Sequence, residues 1–402
     1  MRILVSHTNY PSQFRRLIPS WISEGHEVSF IARSREWHSY SYDQLRILSY
    51  QRSRDLPNPY THPYLRRFES SILEGQAAFR RALDLKSEGW VPDVVISHVG
   101  FGNGIFLKDL FPDTHRIGLV EWFYNPYGSD ADFLSSGAIT TDHLLNLRTW
   151  NAESLLEISS LDRIVTPTHW QKSQFPSFLQ DHIQVVHEGI DVDYLGSLKE
   201  KKRFLPSCLS TYSDSSIEIM TYVSRCFEPY RGFPQAIQVI AELQRLRPNL
   251  HTLLVGSDGS AYGPTRSDGV AWSDWARNNF NLDPDRTHWL GPLNESEYHN
   301  ILSCSDVHFY LTVPFILSWS LLEAMGVGLP IVSCTTPPVL EVLTHQVDSL
   351  LADFFDIESH VKNISRVLDD RTFADSISNS ARLASNKYSL ANGLAGWSKL
   401  MP

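Results

Sequence analysis

Arg225 and Arg231 follow residues 217–223, a short apolar run that is typical of a buried strand. A guanidinium is a planar fork of N–H donors, and each charge-assisted hydrogen bond that it gives a phosphate oxygen contributes about 1.5–3 kcal/mol. A diphosphate that leaves without a bound metal needs such fixed cations against its growing negative charge. A surface salt bridge would explain either arginine alone. Two arginines on one strand-to-helix loop therefore predict a diphosphate site.

A second candidate segment covers residues 314–325, where a strand is predicted to end and a helix to begin. Its loop offers free N–H groups at the positive end of a helix dipole, which suits a phosphate or sugar hydroxyls. Glu323 lies among apolar neighbours, and the two oxygens of its carboxylate match two ribose hydroxyls. An ordinary carboxylate at an exposed helix edge is the alternative. The loop residues predicted to face the ligand are Ile316, Leu317, Ser318, Trp319 and Ser320.

The first half of the chain has its own candidates at predicted strand ends, where parallel sheets bind ligands. His98 follows the strand predicted over residues 94–97, and Glu121 precedes three aromatic residues. These groups could bind an acceptor hydroxyl and stack on a sugar face, whereas a structural histidine and a packed core edge are the alternatives. Ser12 and Gln13 follow the first predicted strand and could donate hydrogen bonds to a donor, or form a plain polar turn.

The whole chain of 402 residues is 42% hydrophobic and has a net charge of −10, which excludes disorder and argues against general binding to nucleic acid. Residues 33–86 are an exception, because ten basic residues there exceed six acidic ones. That segment could meet an anionic acceptor or a membrane surface peripherally, or form a solvated helical face. Four scattered cysteines and the short apolar N-terminus predict a cytoplasmic protein without a zinc site or signal peptide.

Short β-rich runs alternate with helical patterns along both halves, which predicts parallel sheets covered by helices. In the first half, strands are expected over residues 3–6, 28–32, 94–97, 117–120, 164–166 and 184–186. A polar stretch over residues 196–216 is the best linker candidate. We therefore predict domains over residues 1–195 and 196–385, with a C-terminal helix over about 386–402 that packs back on the first domain.

The order of several short motifs resembles family-4 retaining glycosyltransferases over most of the chain. The motifs are GHEV over residues 25–28, EGID over 188–191, RCFEPYRGF over 225–233, WLG over 289–291, SDV over 305–307 and LLEAMGVGLPIV over 321–332. The resemblance implies an α/β protein of GT-B fold, with two doubly wound Rossmann-like domains facing a central cleft. It further implies a nucleotide-diphosphate sugar as donor in the second domain and a hydroxyl acceptor, either a glycan, a lipid or a small molecule, in the first.

The resemblance also assigns roles to individual residues and implies retention at the anomeric carbon without a metal or a cofactor. Arg225 and Arg231 correspond to the basic pair that binds the diphosphate, and Glu323 to the second glutamate of the E-x7-E motif, which holds the ribose. The nucleobase would lie near Gly291, Pro292 and Leu293. The leaving phosphate itself can take the acceptor proton in such a mechanism, so that Glu121 and His98 would orient the substrates.

Two departures from the family pattern keep other functions open. Phe315 stands where the first glutamate of E-x7-E is expected, and phenylalanine cannot accept a hydrogen bond from a sugar hydroxyl. The glycine-rich loop after the first strand is replaced by Asn-Tyr-Pro-Ser-Gln over residues 9–13. A nucleotide-sugar epimerase or hydrolase of the same fold is one alternative. A non-catalytic protein that binds sugar nucleotides is another, and Phe315 favours it.

Overall fold

The computed structural model describes residues 1–33, 44–54, 56, 59–135, 138–200, 205–212 and 216–402. These residues form two compact units. Unit 1 comprises Met1–Gly189 together with Leu390–Pro402, and unit 2 comprises Ile190–Ser389. Each unit is an α/β structure built on one parallel sheet, as the alternating pattern predicts.

Unit 1 contains a seven-stranded parallel sheet in the order β3-β2-β1-β4-β5-β6-β7. Its strands are β1 (Arg2–Ser6), β2 (Glu27–Arg33), β3 (Leu45–Tyr50), β4 (Val94–Val99), β5 (His115–Val120), β6 (Arg163–Thr166) and β7 (Ile183–Val185). The strand order reverses between β1 and β4, so the loops after these two strands separate at the carboxyl edge and leave room for a ligand. The sequence analysis missed β3, whose neighbours over residues 34–43 lie outside the described residues.

The helices of unit 1 cover both faces of this sheet. They are α1 (Leu17–Ser23), α2 (Arg66–Ser87), α3 (Leu107–Leu110), α4 (Asp130–Phe133), α5 (Thr141–Trp150), α6 (Ala152–Ile158), α7 (His169–Gln174) and α8 (Ser177–Gln180). Alternate strand residues enter opposite cores, because successive side chains of a strand point to opposite faces. Ile3 and Val5 pack in the core that contains Phe14, which lies just before α1. Leu4 packs in the other core, which contains Ala78 of α2.

Unit 2 contains a six-stranded parallel sheet in the order β10-β9-β8-β11-β12-β13. Its strands are β8 (Glu218–Cys226), β9 (Leu250–Ser257), β10 (Thr287–Gly291), β11 (Val307–Tyr310), β12 (Ile331–Cys334) and β13 (Leu350–Ala352). This order has the same reversal, here between β8 and β11. The two segments singled out by sequence, after β8 and after β11, therefore emerge side by side at the carboxyl edge of one sheet.

The helices of unit 2 include one where the sequence predicted the start of a linker. They are α9 (Val192–Glu200), α10 (Phe233–Leu246), α11 (Trp272–Asn279), α12 (Glu295–Ser303), α13 (Trp319–Val327), α14 (Pro337–Leu340), α15 (Ile357–Asp369) and α16 (Arg371–Ser385). The linker prediction was wrong for residues 196–200, because α9 continues through them and buries Leu195 and Leu198. Residues 201–204 and 213–215 of the predicted linker lie outside the described residues.

The last helix, α17 (Leu390–Ser398), belongs to unit 1. Its Trp397 is 1% exposed and packs edge-on against Phe14 and Trp21. The ring centroids lie 6.1 Å apart in both pairs, a distance typical of favourable edge-to-face contacts. Among the helices of the described ranges, none has the length and apolar character needed to cross a membrane.

Candidate active site

Arg231 is the centre of the candidate site in unit 2. It lies in a single 3-10 turn, Pro229–Arg231, between β8 and α10, and only 4% of it is exposed. Its Nη1 donates to Thr312 Oγ1 at 2.7 Å, to the carbonyl oxygen of Ile316 at 2.8 Å and to the Tyr310 hydroxyl at 3.2 Å. All three acceptors are neutral. The structure thus brings Arg231 and the predicted loop after β11 into direct contact.

The charge of Arg231 is maintained despite its burial. Burial by itself lowers the pKa of a guanidinium, but the neighbouring tyrosine hydroxyls and Glu228 outweigh it and raise the pKa of Arg231. Within the described residues Arg231 forms no ion pair with a carboxylate. A buried cation held only by neutral oxygens is an attractive environment for an anionic ligand, because burial has removed the competing water.

The backbone at Gly232 explains why Arg231 can point into the loop after β11. Gly232 has a φ of +64° and caps the N-terminus of α10. A Cβ atom at this position would lie 2.5 Å from Cβ of Leu311, so a side chain is excluded on steric grounds as well. The glycine lets the chain turn sharply between Arg231 and the helix, with β8 and β11 in close approach.

The loop after β11 is held in place by one buried hydroxyl. Tyr310 OH accepts a hydrogen bond from the backbone N–H of Ser318 at 2.9 Å, and the same oxygen accepts from Arg231. Ser318 is the N-cap of α13, and its side chain accepts from the N–H of Ser320 at 3.3 Å. The positive end of α13, a helix of nine residues, therefore lies next to the guanidinium.

Glu323 and Phe315 are both buried in this region. Glu323 is on α13 and 2% exposed, so its carboxylate lies inside unit 2 and not at an exposed helix edge. Phe315, at 5% exposure, packs edge-on against Tyr230 and Tyr262, with ring centroids 5.5 and 5.2 Å away. The residue that replaces the expected glutamate is therefore part of an aromatic cluster and supports the loop by packing.

Sequence reasoning missed Tyr262 and the carboxylate that positions it. Tyr262 lies in the long segment between β9 and α11, and its ring centroid is 5.1 Å from Cζ of Arg231. Glu228 Oε2 accepts from three consecutive backbone N–H groups, of Ala261, Tyr262 and Gly263, at 3.1 to 3.2 Å. The contact between Glu228 and these amides joins residues more than 30 positions apart, so the local sequence pattern could not predict it.

Other predicted donor residues are not brought to Arg231 by any described contact. The prediction that Arg225 lies in a loop was wrong: strand β8 continues to Cys226, which pairs with Ser257 of β9 beyond a bulge, and the Arg225 side chain is exposed. Gly291 is the last residue of β10, and Pro292 and Leu293 follow it. Strand β10 is two strands from β8 in the sheet order. Leu293 packs partly against a hydrophobic core of unit 2.

The candidates of unit 1 form one hydrogen-bonded cluster at the reversal of its sheet. His98 Nε2 lies 3.0 Å from Glu121 Oε2, and Gln13 Nε2 donates to Glu121 Oε1 at 3.0 Å. Ser12, whose φ is +49°, donates to the side-chain oxygen of Gln13. Burial by itself raises the pKa of Glu121, but His98 and Gln13 together outweigh it and lower that pKa. Glu121 is therefore an ionised carboxylate.

Two family profiles match consecutive parts of the sequence. Residues 24–195 match the family described as "Glycosyl transferase family 4 group", and residues 213–384 match "Glycosyl transferases group 1". The two matches together cover most of the chain. The chain belongs to the family-4 glycosyltransferases of GT-B fold. No protein with a curated description matches the sequence significantly.

Solved structures of similar fold extend over the whole length of this glycosyltransferase. HepE of Anabaena, solved in complex with UDP and glucose, has a TM-score of 0.69 at 14% identity, covering 99% of this chain and 98% of that one. Sucrose-phosphate synthase of Thermosynechococcus elongatus has a TM-score of 0.70 at 14% identity, covering 100% and 98%. At such identities the likeness establishes the fold.

Two buried glutamates of the glycosyltransferase escaped the sequence analysis. Glu153 and Glu157 lie on the inner face of α6, whereas the apolar Leu155 and Leu156 of the same helix are 38% and 44% exposed. Burial raises the pKa of Glu153 to about 7 and that of Glu157 to about 8. The sequence suggests the opposite orientation, because the leucine pair resembles the buried face of a helix.

Replacing Glu157 with glutamine is expected to weaken the loss of stability that occurs as the pH rises from 4.5 to about 8. A carboxyl whose folded pKa is raised contributes stability below its ordinary pKa of 4.5, and this contribution is lost as the pH rises towards the folded value of about 8. The loss amounts to at most about 1.4 kcal/mol per pH unit. Urea unfolding midpoints at several pH values should therefore fall less steeply for Glu157→Gln than for wild type. The exposed Glu358→Gln serves as control, and identical slopes for all three proteins would contradict the assignment.

Proposed function

We propose that this glycosyltransferase moves a sugar from a nucleotide-diphosphate sugar to a hydroxyl acceptor with retention of configuration at the anomeric carbon. The observation that carries the proposal is the buried Arg231, whose guanidinium donates to neutral oxygens beside the N-terminus of α13 and forms no ion pair with a carboxylate of the described ranges. A diphosphate would satisfy that charge, since phosphate oxygens are the strongest acceptors for a guanidinium.

The donor is proposed to bind to unit 2. Its diphosphate contacts Arg231 beside the N-terminus of α13, and the exposed Arg225 approaches it from β8. Its ribose binds to Glu323, and its base lies near Gly291. The structures of HepE that contain UDP and UDP-glucose make uridine the first base to test.

The reaction then needs one bond to form and one to break. The acceptor oxygen forms a bond to the anomeric carbon, and the bond from that carbon to the diphosphate oxygen breaks. The electron pair of the broken bond stays on the diphosphate, where the Arg231 charge stabilises it. The acceptor proton passes to an oxygen of the leaving phosphate. Retention follows when the acceptor attacks from the face that the diphosphate leaves.

The acceptor is proposed to bind to unit 1 at the cluster of His98, Glu121 and Gln13. The ionised Glu121 can accept a hydrogen bond from a sugar hydroxyl and so hold it in a reactive orientation.

Within the described residues, no three His, Cys, Asp or Glu side chains are grouped to hold a metal ion. Metal independence, a cytoplasmic location and peripheral contact with a membrane stay predictions.

A screen of nucleotides by thermal unfolding tests the donor assignment. UDP, GDP and ADP are compared first, and then the sugar nucleotides of the base that stabilises most. A ligand at one hundred times its Kd adds about 2.7 kcal/mol of stability, which corresponds to several degrees in Tm for a unit of this size. Arg231→Lys should reduce the shift. The absence of any shift with all nucleotides would overturn the proposal.

The stereochemical part of the proposal is tested on the product. The anomeric proton coupling in the NMR spectrum of the initial product distinguishes retention from inversion before the sugar mutarotates or the product is degraded. A product with the donor configuration supports the proposed mechanism, and an inverted product contradicts it.

Phe315 keeps a second candidate function open, because it removes a sugar-binding carboxylate that the family pattern expects. A sugar-nucleotide epimerase or hydrolase would consume the donor without an acceptor, and a binding protein would not consume it at all. Incubation of the donor alone, followed by chromatography of the nucleotide and sugar products, separates these cases. Transfer to one acceptor without consumption in its absence favours the transferase.

A further inference from the structure

Half of the ten basic residues of segment 33–86 pair with carboxylates in the folded chain. Arg33 and Arg52 lie close to Glu74, Arg46 pairs with Glu88, Arg54 with Glu69 and Arg81 with Asp84, and Lys86 Nζ donates to the carbonyl oxygen of Leu110. Arg66 and Arg80 are exposed, and Arg35 lies outside the described residues. Arg67 differs from all of these, because it is half-buried and makes no ion pair with a carboxylate in the described ranges.

Arg67 lies against two aromatic rings. Its Cζ is 4.6 Å from the ring centroid of Tyr124 and 5.4 Å from that of Trp150, and its Nη1 donates to the Tyr124 hydroxyl at 2.8 Å. Tyr124 is itself fixed by Asn151, whose Oδ1 accepts from the Tyr124 N–H at 2.8 Å. The guanidinium is therefore held in one orientation by rings and a hydroxyl, which leaves its charge unneutralised.

This arginine lies close to the His98 cluster. Ser71, one turn further along α2, donates to the Arg67 carbonyl at 3.2 Å and to Glu153 on α6. Glu153 interacts electrostatically with both Arg67 and His98. Tyr124 follows Glu121 by three residues, just beyond the end of β5. Arg67, its rings and the His98 cluster thus belong to one region at the carboxyl edge of the unit 1 sheet.

The carboxyl of Glu153, which interacts electrostatically with Arg67, does not cancel the Arg67 charge at mildly acidic pH. Glu153 is 2% exposed, and burial raises its pKa to about 7 although Arg67 and His98 oppose this effect. One of its oxygens, Oε1, is buried and has no hydrogen-bond partner in the part of the chain that the structure describes. At pH 6 the Glu153 carboxyl is mainly neutral, so a ligand anion meets the full charge of Arg67.

We propose that Arg67, Tyr124 and Trp150 form a binding site for the anionic group of the acceptor, either a carboxylate or a phosphate on or beside the sugar ring that carries the reactive hydroxyl. The rings contact the apolar face of the sugar, and the guanidinium binds the anion. This inference rests on the proposed function, because it names the class of acceptor for the same unit 1 site.

Binding of matched sugar probes tests the site without knowledge of the natural acceptor. The pairs are p-nitrophenyl β-D-glucuronide with its glucoside, and glucose 6-phosphate with glucose, measured by ligand-observed NMR titration at pH 6. The nucleotide that stabilises most is present in excess, so that anions do not occupy the Arg231 site. We expect the anionic member of at least one pair to bind about tenfold more tightly or better. The pair that shows the preference identifies carboxylate or phosphate.

Arg67→Gln should abolish this preference, whereas the neighbouring exposed Arg66→Gln should preserve it. Arg67→Lys is the rescue variant and should restore part of the preference, because it returns the charge. Tm values and the neutral probes report whether each variant folds. Equal affinities within both pairs for the wild type, or a preference that a folded Arg67→Gln retains, would overturn the inference.

The same experiment separates this inference from the proposed function. One outcome is that the protein prefers the anionic probes through Arg67 but neither binds nor consumes any nucleotide sugar. This outcome would support the anion site and contradict the proposed transferase function. The other outcome is that the protein transfers sugar to neutral acceptors and shows no preference for the anionic probes. This outcome would support the proposed transferase function and contradict the anion site.

Discussion

Replacing Arg231 with methionine is expected to lower kcat/KM by about 10²–10³-fold, the effect of removing one preorganised hydrogen-bond donor that faces a developing anion. The guanidinium is buried, fixed by Thr312 and the Ile316 carbonyl, and adjacent to the N-terminus of α13. Its charge is already in position when the diphosphate leaves, so that no reorganisation opposes the step. Steady-state kinetics with the donor found in the thermal screen measures the effect.

Two comparisons make the Arg231 result interpretable. Methionine retains much of the side-chain volume, and the Tm of the variant shows whether the loop after β11 is still folded. Arg231→Lys retains the charge without the planar fork and should lose less. Arg225→Met should lose less than Arg231→Met, because Arg225 is exposed and its charge acts through water. A folded Arg231→Met protein with wild-type turnover would show that the diphosphate binds elsewhere.

Replacing Glu121 with glutamine is expected to lower kcat by about 10²-fold, the loss that a small misplacement of a reacting group causes. The substitution preserves the shape of the side chain and removes the charge that faces His98 Nε2 at 3.0 Å. Because the pKa of Glu121 is lowered from its ordinary value of 4.5, the wild-type carboxylate is ionised at pH 5 and above. Rates measured from pH 5 to 8 should therefore show the deficit of Glu121→Gln throughout.

His98→Gln should reproduce most of this loss, and the double variant should lose little more than either single one, because the two side chains act as one unit. The KM for the donor should change little in all three proteins if the cluster serves the acceptor. Gln13→Met removes only the amide that contacts Glu121 Oε1 and should have a smaller effect. Strict additivity of the two losses, or a large change in donor KM with normal kcat, would contradict this role.

The fold could be predicted well because its signals are local. Alternating apolar runs and helical patterns depend on neighbours within a few residues, and they predicted six of the seven strands of unit 1 to within two residues. The prediction that Arg225 lies in a loop failed because the length of strand β8 is set by its pairing with β9. Cys226 at the end of β8 pairs with Ser257 of β9, which is far away in sequence. The linker prediction failed over residues 196–200 because these residues belong to α9. This helix packs against α12 and α13, which follow much later in the sequence.

The sequence by itself determined the α/β class, the family, and the residue types available for chemistry, since these depend on composition, periodicity and motif order. Tertiary structure decided which charges are neutralised. Glu228 accepts hydrogen bonds from three backbone amides, and five arginines of residues 33–86 form ion pairs with carboxylates. Arg231 and Arg67 instead lie among neutral oxygens and aromatic rings, which leave their charge available to a ligand. The physical reason is that the free energy of a charge depends on burial and on partners within a few ångströms, and those partners come from distant parts of the chain.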